Sequence, residues 1–207
     1  MNKILLIDSI SHICLKPEQL NEAKNEAAEK GLSGFLLKDI VLQEKNKKNR
    51  NGRVYPAEIL EREVSKYKTE LIDQKCAYGE IDHPDTPIVR IQKTSHMITD
   101  AWWEGDTLKG NINIFDNFNG NMATSILKAG GRLGISSRSL GSVERIQNEG
   151  EEYDKVNDDL ELLAWDIISN PSVLKASFML HEGLEKNSQV LENFKRINES
   201  IQYILEI

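Results

Sequence analysis

The chain has 207 residues and a formal net charge of −7, a length that suits one domain with terminal appendages and a core built without disulfides or metals. An acidic balance argues against nonspecific nucleic-acid binding. Only Cys14 and Cys76 are present, which excludes a disulfide framework and fits a reducing compartment.

In chain order, Ile4–Ile7 reads as a short strand, too brief an apolar run for a signal peptide, and no stretch is apolar enough to span a membrane. Pro17 to Lys30 is rich in Glu, Ala and Lys and stops at Gly31, which predicts a helix with a thinly apolar face, lightly packed or part of a mobile N-terminal region. Gly34 to Gln43 is a strand, followed by a polar, basic loop from Glu44 to Arg53. Its cluster Lys45, Lys47, Lys48, Arg50 and Arg53 reads as solvated.

Pro56 opens a helix with Ile59, Leu60, Val64, Tyr67 and Leu71 on its core face. Two strand-like runs between Val89 and Phe115 flank Glu104-Gly105-Asp106, a hairpin signal, and Trp102 and Trp103 read as core and interface residues. A short helix over Asn117–Lys128 is stopped by Gly130-Gly131. Strands follow over Leu133–Ser136, Ser142–Gln147 and Leu160–Ile168, and an amphipathic helix over 188–204. The pattern is α+β: a strongly bent antiparallel sheet or small β-barrel flanked by helices. Residues 1–33 form an N-terminal strand and helical segment, 34–183 the main domain and 184–207 a C-terminal helix or tail.

Two segments carry chemistry. Gly79-Glu80-Ile81-Asp82-His83-Pro84 sets a histidine in a turn, and Gly134-Ile135-Ser136-Ser137-Arg138-Ser139-Leu140-Gly141-Ser142 sets paired serines between glycines. A serine hydroxyl is a weak nucleophile until a base takes its proton, and a neutral imidazole can do so near pH 7. The chain offers few such bases: His12, His83, His96 and His181. The duller readings are a solvated turn histidine and a tight turn leaving a strand. Glu80, Asp82, His83 and Asp85 could instead hold a divalent cation, although zinc usually takes more His or Cys ligands. The serine segment lacks the Gly-x-Ser-x-Gly elbow and the Gly-Lys-Ser/Thr of a phosphate loop.

Taken with Asn49-Arg50-Asn51-Gly52-Arg53-Val54-Tyr55-Pro56 and Trp102-Trp103-Glu104-Gly105, and more loosely Asp166-Ile167 and Pro171-Ser172, these blocks resemble the prohead core protease family of T-even-type tailed phages. That family's fold is related to the herpesvirus maturation protease. The resemblance implies a herpesvirus-protease-like fold and a serine endopeptidase in which Ser136 is the nucleophile, with Ser137 the alternative register, and His83 is the base. Asp166, in an apolar run where a carboxylate needs a reason to be, is the candidate to orient His83. His96 and Glu80 are its rivals. Gly134 would let a substrate backbone approach while local N–H groups stabilise the oxyanion. Arg138 would bind the oxyanion or a substrate carboxylate, or form a structural ion pair.

By the same resemblance the enzyme would act in the host cytoplasm inside the assembling prohead and be made as a precursor. It would need no cofactor or metal and would cleave scaffold and major capsid proteins after Glu in Ile/Leu-x-Glu sequences. It would also process itself, after Glu199 or Glu22, and form homo-oligomers. Nucleic acid and membrane are not among its expected partners. Two other classes fit the residues: a non-catalytic capsid-assembly or scaffold-binding protein on the same fold, and a non-proteolytic serine hydrolase.

Overall fold

A computed structural model describes residues 3–84, 86–148 and 150–169, all within one compact unit, Met1–Asn170. The expected helix over 188–204 lies outside the described residues, as do Glu199 and His181. The architecture is α+β, with three helices and ten strands among the described residues. Strands β1 (Ile4–Ile13), β7 (Leu133–Gly141) and β10 (Glu161–Ile168) form one sheet in the order β1-β7-β10. Strands β2 (Phe35–Glu44), β4 (Tyr78–Glu80), β5 (Thr94–Glu104) and β6 (Thr107–Ile114) form a second in the order β2-β6-β5-β4. Strands β3 (Arg53–Val54), β8 (Val143–Asn148) and β9 (Glu151–Val156) form the third, in the order β3-β9-β8. All ladders are antiparallel except β3 with β9.

No closed barrel is present among the described residues. The first two sheets instead meet at a single parallel bridge, Ile81 to Ile167. Around that seam the core gathers Leu42, Leu60, Tyr67, Ile98, Ile112, Ile114, Ile135, Trp165 and Ile167. Trp165 is fully buried, donates its indole N–H to the Leu42 carbonyl at 2.8 Å, and meets the Tyr67 ring edge-on at 4.8 Å. This bonded, enclosed indole fixes β10 against β2 and the following helix.

Helix α1 (Pro17–Glu29) buries Leu20, Ala23 and Ala27 against β2, so small residues make a close-packed face where the composition suggested a loose one. Glu22 sits inside this helix, where the backbone is not extended, so it is no more available to a protease cleft than any helical residue. Helix α2 (Ala57–Tyr67) buries Ile59, Leu60, Val64 and Tyr67 as its spacing predicts, and runs on through a π turn, Lys68–Ile72. Helix α3 (Phe118–Lys128) is capped by Asn117, whose side-chain oxygen accepts the Gly120 N–H at 2.8 Å.

Arg53 corrects the reading of the basic loop as solvated. Asp8, on β1, is buried, and its Oδ1 accepts from Asn51 Nδ2 at 2.6 Å and Arg53 Nη1 at 2.9 Å. The Tyr55 hydroxyl donates to Oδ2. Burial and the Asp8 charge push that hydroxyl's pKa well above its ordinary range, so it remains a donor. The block Asn49–Pro56 is thus wrapped around a carboxylate, not around water. The neighbouring lysines are paired too: Lys45 reaches Glu61 and sits 4.6 Å over the Trp103 ring, and Lys47 lies 2.8 Å from Glu44.

Removing one partner of a buried pair leaves the other uncompensated. Asp8→Ala should therefore lower unfolding free energy by about 3 kcal/mol in urea titration. Asn51→Ala, which removes one hydrogen bond, should cost about 1 kcal/mol.

Candidate active site

The site is assembled where the second sheet hands the chain to the first. β4 pairs with β5 through Tyr78–Met97, Gly79–His96 and Glu80–Thr94. Position 79 must be glycine, because a Cβ there would lie 2.2 Å from the Trp165 carbonyl oxygen and 2.3 Å from His96 Nε2. This close approach lets the chain cross onto β10, where Ile81 bridges Ile167 and the Asp82 N–H donates to the Ile167 carbonyl at 2.7 Å. Asp82 takes φ +57°, a left-handed turn that aspartate tolerates.

The next residue is His83. Its Nδ1 lies 3.0 Å from Asp166 Oδ2, and its side chain is only 4% exposed. Asp166 is fully buried, and its Oδ1 accepts the Glu80 N–H at 2.9 Å. A carboxylate in that setting is an acceptor, so Nδ1 carries the proton and Nε2 keeps its lone pair. His83 Nε2 is buried with no hydrogen-bond partner among the described residues.

Ser136 lies directly across from Asp166 in the β7–β10 ladder, and across from Ser9 on β1. Residues opposed in this way share a sheet face, with Cβ atoms about 5 Å apart. The Ser136 hydroxyl, like His83 Nε2, is buried and unpartnered among the described residues. Ser137 points to the other face, opposite Asp8 and Trp165. The period-2 alternation therefore separates the two serines: Ser136 is on the carboxylate side and Ser137 is not.

Two expectations are corrected. The strand expected over Leu133–Ser136 runs on to Gly141 as a central strand paired along both edges, so its N–H groups face neighbouring strands rather than an oxyanion. Gly134 and Gly141 lie inside this strand, opposite Ile168 and Ile4. Nor is Arg138 free to meet a substrate. It is fully buried, with Nη2 donating to Asp166 Oδ1 at 3.1 Å, so the ion-pair alternative describes it.

The rivals of Asp166 point elsewhere. The Glu80 carboxylate accepts from the Arg90 backbone N–H at 2.7 Å and pairs with the Arg90 guanidinium at 3.1 Å. His96 is fully buried, donates from Nε2 to the Trp165 carbonyl at 2.9 Å, and accepts at Nδ1 from the Ser95 hydroxyl at 2.9 Å. Among the described residues no group of three His, Cys, Asp or Glu side chains converges as a metal site would. Arg90 was not singled out by sequence. The available signal was a lone cation in the apolar run Ile88-Val89-Arg90-Ile91 with no acid beside it.

A hydroxyl and a carboxylate on one sheet face, with an imidazole bonded to that carboxylate, are the components of a serine hydrolase. Comparison with known proteins agrees: a family model described as "Prohead core protein serine protease" matches residues 12–200. The chain belongs to the prohead core protein serine protease family. It is 34% identical over 128 residues to the prohead core protein protease of Enterobacteria phage T4, a match that covers 58% of this chain and 60% of that protein's length. A solved structure, that of the bacteriophage T4 capsid assembly protease, gp21, superposes with a TM-score of 0.65 at 25% identity, covering 82% of this chain and 99% of that one.

Burial pushes His96 down to about 4, against an ordinary 6.5, with the Asp166 charge and the Trp165 carbonyl opposing the shift. Above pH 6.5 the ring is neutral in both folded and unfolded chains and contributes no pH dependence. As pH falls from 6.5 towards 4 only the unfolded chain gains this proton, so stability drops by up to about 3 kcal/mol and then levels off. Denaturation midpoints at pH 7 and pH 5 should differ less in His96→Gln, which keeps a donor for Trp165 but does not titrate.

Proposed function

We propose that this chain is a serine endopeptidase that processes scaffold and major capsid proteins during prohead maturation. Ser136 attacks the scissile carbonyl. His83 takes the serine proton at Nε2 and returns it to the leaving amine. Asp166 holds the imidazole in the required tautomer and stabilises the imidazolium that forms. The observation that carries this reading is the 3.0 Å His83–Asp166 contact, made on the strand that sets Asp166 across from Ser136. Ser136 and His83 are both enclosed, so turnover begins with a movement that admits the peptide.

The family supports the finer reading: a fold akin to the herpesvirus maturation protease, action inside the assembling prohead in the host cytoplasm, and cleavage after Glu in Ile/Leu-x-Glu sequences. Self-processing and homo-oligomerisation belong to it as well. With Glu22 held in α1, the self-cleavage site is proposed at Glu199.

On an Ile-x-Glu peptide, Ser136→Ala and His83→Ala should each abolish cleavage while melting normally, and near wild-type turnover by either would remove that residue from the mechanism. Asp166→Asn should lose about three to four orders of magnitude in kcat, because the ring would be held in the wrong tautomer. A loss below about tenfold would take the orienting role away from Asp166. Intact-mass spectrometry after incubation should show a species ending at Glu199 in wild type and none in Ser136→Ala.

A further inference from the structure

A guanidinium as deeply buried as that of Arg138 needs partners for its donors and its charge. All of them lie around His83. Nη2 donates to Asp166 Oδ1 at 3.1 Å. Nε lies 2.9 Å from Oδ2, close enough for charge attraction but off line for a hydrogen bond. Nη1 donates to the carbonyls of Thr86 at 2.9 Å and Ile88 at 3.5 Å, in the segment that follows His83. Glu80 Oε1 stands 3.9 Å from Nη2, and Glu80 in turn is clamped by Arg90, whose side chain is 47% exposed. Charges of alternating sign thus run inward from Arg90 through Glu80 and Arg138 to Asp166.

We propose that Arg138 is the positioning residue of the His83–Asp166 pair. The inference rests on the roles given to those two residues under Proposed function, and Arg138 acts through Asp166 without touching the peptide. A carboxylate on a single bond can rotate, and its two oxygens are equivalent until the surroundings distinguish them. Here Oδ1 is filled by the Glu80 N–H and Arg138 Nη2, which leaves Oδ2 for His83 Nδ1. The same guanidinium fixes the main chain just beyond His83 through Thr86. One side chain therefore sets both the acceptor and the approach of the ring.

The charge balance gives the role a signature of its own. The groups around His83 are Asp166 on β10, Arg138 on β7, Glu80 and Asp82 on its own segment, and Arg90 beyond it. His96 on β5 and Tyr67 on α2 also feel the Asp166 charge. In the ion-pair chain two carboxylates offset two guanidiniums, one of them, that of Arg90, half exposed. Deleting the Arg138 charge leaves an excess negative charge beside His83, which favours the imidazolium, so the base stays protonated to higher pH.

The test compares wild type, Arg138→Gln and Arg138→Lys on an Ile-x-Glu peptide, with kcat and KM measured from pH 5 to 9 and thermal melts as the check on folding. Arg138→Gln should lose about a hundredfold in kcat with KM little changed, as expected when a catalytic group is misplaced. The acid limb of its pH profile should move up by about one unit. Lysine keeps the charge but cannot serve Asp166 and Thr86 together. Arg138→Lys should therefore restore the wild-type limb while still losing about tenfold in kcat. A folded Arg138→Gln with the wild-type limb and kcat overturns the proposal. If Arg138→Gln does not fold, wild-type kcat in Arg138→Lys overturns it instead. Wild type that cleaves while both variants match it removes the positioning role alone, whereas wild type that cuts no such peptide removes the proposed function and this role with it.

Discussion

A carboxylate with no exposed surface lies at the seam between two sheets, and the arrangement around it follows from the need to satisfy it. Asp166 is fully buried. An unpaired charge there would cost several kcal/mol. Its partners come from separate parts of the chain: the Glu80 main chain, the His83 ring and the Arg138 guanidinium. Each arrives by a local device. Gly79 permits the close crossing, Asp82 makes the left-handed turn, and β7 alternates Arg138 onto the face it shares with Asp166. Satisfying the charge and building the candidate site are one operation.

A second buried carboxylate serves the opposite face of the same central strand. Asp8 lies across from Ser137 and gathers Asn51, Arg53 and Tyr55. Strand β7 therefore runs between two acidic centres, one carrying the proposed chemistry and the other holding the long loop after β2. This explains how Arg138 can be wholly buried in that strand, whereas the Ser136 and Ser137 hydroxyls are buried without a hydrogen-bond partner among the described residues. The Asn49–Pro56 block and the serine block, distant in sequence, are parts of one polar interior.

Much of this was legible in the residues. The apolar spacing of α2, the short helix stopped before Gly130-Gly131 and the hairpin about Gly105 all have local causes and appear where their patterns place them. The α+β class was readable from the pattern of elements, and the family from the order of several weak motifs. Other features depended on long-range pairing. The charged strand β9 carries no apolar alternation of its own and is defined by its pairing with β8 and β3. The serine strand reads as ending at Ser136 because its glycines carry no sign that β1 and β10 flank it as far as Gly141. Arg53 and Arg138 look like solvent or substrate cations, since nothing beside them in sequence reveals Asp8 or Asp166. Only the pairing register separates Ser136 from Ser137.

The double pairing of β7 also has a kinetic meaning. A strand hydrogen-bonded on both edges and packed on both faces opens only in the rarest fluctuations of a fold, and its amides are among the last to exchange with solvent. Ser136 is carried by such a strand, so in the proposed mechanism its backbone is a fixed reference. In that mechanism the movement that admits a polypeptide leaves β7 in place, and the segment after His83 is tied to the same strand by the reach of the Arg138 guanidinium to the Thr86 and Ile88 carbonyls.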